Sequence, residues 1–176
     1  GVTLSNARFT GSAKAAGTFA GAAPAIGIDA GVMMSTGDVL DLQGPNNDEA
    51  KSTQLGTPGD SALGLLVAPY DTFDAAILQF DLVTASPTIS IKYVFASEEY
   101  NEFVDTAYND AVAIFVNGVN CANFGGRPVA VNAINGTLTP AQFVDNTSGA
   151  RFTQMDGMTI ALDCTAAVNP NQVNSI

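Results

Sequence analysis

Along residues 89–95, Ile89, Ile91, Tyr93 and Phe95 alternate with Ser90, Lys92 and Val94. That period of two predicts a strand packed on one face. Similar short runs rich in Val, Ile, Phe and Tyr stand at 77–83, 111–116, 129–134 and 158–162, with turn residues between them. Asn117-Gly118, directly after one of these runs, is a hairpin signal because both residues accept positive φ. Upstream, residues 12–37 are loaded with Ala and Gly, and each Gly costs about 1 kcal/mol relative to Ala inside a helix, so short strands and tight turns are expected there. The polar stretch 43–60, with Gly44-Pro45 and Pro58-Gly59, is the longest loop candidate. One short helix is expected over 139–144, with Thr139 as cap and Pro140 in the first position. The pattern predicts an all-β chain, an antiparallel β-sandwich or jelly-roll-like fold with at most one or two short helices. Neither an internal repeat nor a linker divides it, so residues 1–176 form one domain.

Composition narrows the chemistry. The 176 residues include 17 acids, 6 bases, no His and no Trp, for a net charge of −11. Without His, Ser-His-Asp and Cys-His nucleophilic sites, His-ligated zinc and imidazole acid–base catalysis are all excluded. So acidic a chain is repelled by phosphate backbones and anionic lipids, and its cations are scattered at Arg8, Lys14, Lys51, Lys92, Arg127 and Arg151. Nucleic acid is therefore not an expected partner. The longest apolar runs, 62–69 and 111–116, fall short of the roughly 20 residues a membrane helix needs. The chain opens at Gly1 with no charged segment or cleavable apolar stretch, so an export signal is not visible. Cys121 and Cys164 each lie beside a strand-like segment, and the sequence leaves a disulfide and two free thiols equally open.

The densest chemistry lies between two predicted strands. Glu98, Glu99, Asn101, Glu102, Asp105, Asn109 and Asp110 carry oxygens, with Lys92 the only nearby cation. Two unit charges 4 Å apart repel by about 4 kcal/mol at an effective dielectric of 20, so such crowding calls for a positive partner. Calcium, which takes six to eight oxygen ligands, is the hard cation that suits it, although the spacing is not that of an EF-hand. The competing reading is an acidic loop that is merely solvated. Tyr100, Phe103, Val104 and Tyr108, interleaved with the acids, imply that the loop folds back onto the sheet. A second set, Asp29, Asp38, Asp41, Asp48 and Glu49, is expected to be solvated. Asp156 either orients its turn or joins the cation site. The alternative function, a carbohydrate hydrolase, needs two carboxylates facing across a cleft. Glu98 and Glu99 would point to opposite faces of a strand, which leaves Glu98 with Glu102. Asn135 and Asn146 head glycosylation sequons, read here as chance occurrences.

GVMMSTGDV (31–39), GPNN (44–47), YVFASEEYNEFV (93–104), YNDAVAIFVNG (108–118) and MDGMTIAL (155–162) together carry a resemblance. The chain resembles the choice-of-anchor L domain of exported bacterial surface proteins, and the match spans most of its length. The resemblance implies an extracellular, cell-surface location, a β-sandwich, calcium and no catalysis. It also implies kinship with calcium-dependent modules of large adhesins. The positions it carries for calcium are Glu98, Glu99, Glu102, Asp105, Asn109 and Asp110. Expected partners are a protein or glycan on another cell, or copies of the chain in an extracellular matrix or filament. Relative to the family pattern, residues before Gly1 and a strand after NQVNSI are expected to be missing. A sheet edge left open in that way would invite a strand from a neighbouring copy.

Overall fold

The structure, a computed structural model, describes residues 1–176. Its strands are β1 (Val2–Thr10), β2 (Ala16–Ala20), β3 (Ala30–Met34), β4 (Ile77–Thr84), β5 (Thr88–Tyr93), β6 (Ala96–Ser97), β7 (Ala111–Val112) and β8 (Phe115–Val116). There follow β9 (Val119–Asn120), β10 (Asn123–Phe124), β11 (Arg127–Ala130), β12 (Phe143–Asp145), β13 (Gly157–Thr159), β14 (Leu162–Ala167) and β15 (Asn174–Ser175). Two short helices, α1 (Ala23–Ile26) and α2 (Ser61–Leu66), complete an all-β, wholly antiparallel architecture. No helix is long and apolar enough to cross a membrane.

The strands form three three-stranded sheets, β1-β4-β15, β10-β11-β7 and β12-β13-β6, and three two-stranded ones. The alternation in β5 does what the sequence predicts, with Ile89, Ile91 and Tyr93 turned inward and Thr88, Ser90 and Lys92 exposed. β5 pairs with β14 from Tyr93↔Leu162 to Thr88↔Ala167. A disulfide joins Cys164 in β14 to Cys121, with Cα atoms 5.1 Å apart. Asn117 and Gly118, at φ of 50° and 81°, close the expected hairpin between β8 and β9. The Ala- and Gly-rich segment forms the β2-β3 hairpin around α1, and residues 44–57 run as loop. The core gathers Phe95, Tyr100, Val129, Val131 and Ile134, with Tyr93, Val104, Val112, Phe143 and Leu162 packed against it.

The helix expected over 139–144 does not form. The Thr139 hydroxyl is engaged by the Asn135 N–H (3.1 Å), and a single turn, closed by the Gln142 and Phe143 N–H groups on the Thr139 carbonyl, leads into β12. There Phe143 pairs with Thr159, a sheet contact that outweighs a helix of two turns. Three predicted strands are also shorter than expected. β11 stops at Ala130 because the Ala133 and Ile134 N–H groups turn back to its carbonyl (3.0 and 2.9 Å), which drops Val131 and Ile134 into the core. The run 111–116 divides into β7 and β8, which pair with different strands, and Asn120 Oδ1 takes the Ile114 N–H in between (3.1 Å). The run 158–162 divides at Ile160, whose N–H goes to the Gln142 carbonyl (2.8 Å). β1 and α2, capped by Asp60 on the Leu63 N–H (2.8 Å), are additions to the expected elements.

Candidate functional site

The acidic segment begins where β6 ends. Ser97 is buried, and its hydroxyl donates to Asp110 Oδ2 (2.8 Å) while accepting from the Glu99 N–H (3.0 Å). Burial pushes the Asp110 carboxyl up, against the pull of that hydrogen bond. Glu99 is also raised, first by burial and then by the charge of Asp110. Tyr100 pins the segment to the core. It is fully buried, donates its hydroxyl to the Ile134 carbonyl, and packs against Phe143 and Phe95 with ring centroids 4.8 and 6.4 Å away. Gly157 in β13 makes room for it: a Cβ there would lie 2.6 Å from Tyr100 Cδ2 and 2.7 Å from Phe143 Cε2. The segment does fold back on the sheet, through Tyr100 and Val104, whereas Phe103 and Tyr108 stack edge to face 5.0 Å apart and stay exposed.

Glu98 points the other way. Both of its carboxylate oxygens are buried and neither has a hydrogen-bond partner. Loss of water is the main cause of a pKa pushed up to about 8, and the charges of Asp156, Asp48, Asp41 and Glu99 add to it. Asp156, only 3% exposed, accepts from Asn46 Nδ2 (2.6 Å), and burial raises its carboxyl too. Gln154 donates through Nε2 to the Asp48 carbonyl (2.8 Å) and to Asn46 Oδ1 (3.2 Å). The loop bearing Asn46 and Asp48 is laid against the 153–156 turn by a bridge between Gln43 and Thr153 and by the Thr153 hydroxyl on the Leu42 carbonyl (2.8 Å). Lys51 pairs with Asp41 (3.5 Å), but no basic side chain pairs with Glu98, Asp156 or Asp48, since Lys92 pairs with Asp163 (3.0 Å) and Lys14 with Asp38 (3.5 Å).

The six positions expected to act as one set are therefore divided. The strand does not continue through Glu98 and Glu99, which lie in the bend after Ser97, and there the two have different charged neighbours. Glu102 and Asp105 are exposed. Asn109 Oδ1 takes the Asn132 N–H (2.9 Å), and Asp110 is tied to Ser97. No three acidic side chains meet closely enough to hold an ion by themselves. Of the second set, Asp29, Asp48 and Glu49 are exposed, and Asp38 caps the Leu40 N–H (3.0 Å). Asp48 and Asp41 nevertheless add to the field on Glu98, a role their sequence position does not announce. Asp156 both holds its turn, through Asn46, and joins the charge cluster. It lies 58 residues from Glu98 by number, so only the fold brings them together. Among these groups the Glu98 carboxylate is left without a hydrogen-bond partner.

Asn135 and Asn146 are 2% and 0% exposed. The Asn135 amide donates to the Val131 carbonyl (3.1 Å), and that of Asn146 to the carbonyls of Thr153 (3.2 Å) and Met155 (2.9 Å). Neither nitrogen is open to a glycan in the folded chain. No curated protein and no solved structure matches this sequence. A family model for the choice-of-anchor L domain does match, over residues 1–176, and the chain belongs to that family.

Proposed function

We propose that this chain is a non-catalytic contact module, displayed outside a bacterial cell and stabilised by calcium. It works by adhering to a partner on another cell or by assembling with copies of itself into a matrix or filament. Membership of a choice-of-anchor family supports a surface-associated place in bacteria. The observation that carries the contact role is the open edge of β1. This nine-residue strand is paired on one side only, to β4, and it presents Val2 and Leu4 at 57% and 61% exposure. Such an edge is a template for an added strand, and the bulge between Ser5 and Arg8 divides it into two regular stretches, Val2 to Ser5 and Arg8 to Thr10. Charge favours this edge as well, since β1 holds Arg8 and no acid in a chain of net charge −11. The hydrolase alternative asks for Glu98 and Glu102 across a cleft, and Glu102 is exposed while the Glu98 carboxylate is buried.

Light scattering over a concentration series tests the proposal. Mass above that of the monomer, lost in Leu4→Lys, is the expected result. A wild-type chain that stays monomeric at every concentration and binds no cells overturns it.

A further inference from the structure

We propose that two copies of this chain pair through β1, antiparallel about a two-fold axis at Thr3, and so form a closed dimer. This rests on the open β1 edge of the reading above, and it names the partner and the register which that reading leaves open.

The direction of the main-chain groups sets the register. In β4, Phe80 exchanges both of its main-chain hydrogen bonds with Ile176 (3.1 and 2.9 Å), and the Thr84 carbonyl accepts from the Asn171 N–H (2.7 Å). Successive residues of an antiparallel strand bond to opposite sides, so Phe80, Leu82 and Thr84 face away from β1 while Asp81 and Val83 face it. The register between the two strands is Val2↔Thr84, Thr3↔Val83, Leu4↔Leu82 and Ser5↔Asp81. Thr3 and Ser5 are thus bonded to β4, and the N–H and C=O groups of Val2 and Leu4 point to the open edge. Cross-strand neighbours share a face, which sets the Val2 and Leu4 side chains beside Thr84 and Leu82. Thr84 and Leu82 are 6% and 3% exposed, whereas Val2 and Leu4 are 57% and 61% exposed, so the buried face of the sheet runs out from under its cover at β1. With Thr3 opposite Thr3 of a second copy, each Val2 bonds to the other copy's Leu4, and the four apolar side chains gather on that uncovered face. An axis at Leu4 would instead set Val2 against Asn6, which stands in the bulge at φ of 53°. The far edge of the sheet is already taken: Ser175 in β15 donates its N–H to Asn117 Oδ1 (3.0 Å) and accepts from the Asn117 N–H (2.8 Å). Between copies this sheet can therefore be extended only from β1 to β1, a contact that closes on itself. Charge permits it, because β1 holds no acid and two chains of net charge −11 meet there without opposing carboxylates.

Oxidative cross-linking of the whole chain carrying one added cysteine, alongside light scattering, tests the dimer. Both native cysteines are bonded to each other, so the added thiol is the free one. At the axis the two Thr3 Cα atoms would stand about 4.5 Å apart, within reach of a disulfide, and the two Ser5 Cα atoms roughly 14 Å apart. Thr3→Cys should therefore give a covalent dimer about tenfold faster than Ser5→Cys, or more. Thr3 and Ser5 are exposed, so neither change threatens the fold. Scattering mass should rise with concentration and level off at twice that of the monomer. Mass that climbs past the dimer, or Ser5→Cys that cross-links as fast as Thr3→Cys, overturns the two-fold pairing and leaves assembly through the β1 edge standing. A chain that stays monomeric at every concentration, with Thr3→Cys uncrosslinked, overturns the dimer together with the self-assembly half of the reading above, and leaves adhesion to another partner.

Discussion

The Asp74 carboxylate holds the exposed end of the long loop in place. It accepts from the Leu55 N–H (3.0 Å), from the Thr57 N–H and from the Thr57 hydroxyl (3.1 Å). Burial alone would raise its pKa, but the Thr57 and Leu55 amides outweigh burial and hold it below the usual carboxylate value. A group depressed in this way stabilises the fold above its unfolded pKa, near 4, and the contribution is lost as pH falls through the lower folded value. Asp74→Ala should therefore cost about 2 kcal/mol at neutral pH, the range for hydrogen bonds to a charged acceptor. Urea unfolding at pH 7 and at pH 3 measures it, and the gap between variant and wild type should narrow in acid. An equal gap at both pH values would assign the loss to packing instead.

At the scale of elements, the sequence is most legible where one face of a strand is buried and the other is wet. β5 follows directly from alternation, the β8-β9 hairpin from Asn117-Gly118, and β4 from a short run of Ile, Leu, Phe and Val. It is least legible where a strand ends. Whether residues 158–162 form one strand or two depends on the Ile160 N–H finding the Gln142 carbonyl, a contact no local pattern encodes. The failed helix at 139–144 has the same origin, because the partner of Phe143 stands 16 residues further on. β1 was readable in principle from Val2 and Leu4 alternating with Thr3 and Ser5, but its weakly buried faces give that alternation little to distinguish it. The β12-β13-β6 sheet depends on a residue without a side chain. Gly157→Ala would drive a methyl group into Tyr100 and Phe143, and overpacking of this kind costs about 1–3 kcal/mol. The midpoint in urea should fall accordingly. A variant as stable as wild type would show that Tyr100 does not pack under β13.

For the molecule as a whole, distant segments are tied together by three kinds of link: strand pairing, one disulfide and the polar cluster around Glu98. The bridge between Cys121 and Cys164 spans 43 residues, and bridges of this kind stabilise by about 2–4 kcal/mol. The cluster, in contrast, has an ion pair only at Asp41, with Lys51. Its acids were visible in the sequence as a crowd between two strands, but the grouping was not. The bend after β6 leaves Glu99 near Asp110 and Glu98 near the charges of residues 41, 48 and 156, which lie more than 45 positions away by number. Spacing within residues 98–110 could not reveal that division.

Thermal unfolding of the wild-type chain in EDTA and in a rising series of CaCl2 addresses the cation most directly. Ligand at 100 times its Kd adds about 2.7 kcal/mol, and for a domain of this size each kcal/mol moves the midpoint by roughly 2–4 °C. The account predicts a midpoint several degrees higher in calcium, climbing with the logarithm of its concentration. The same midpoint in chelator and in saturating calcium would contradict it.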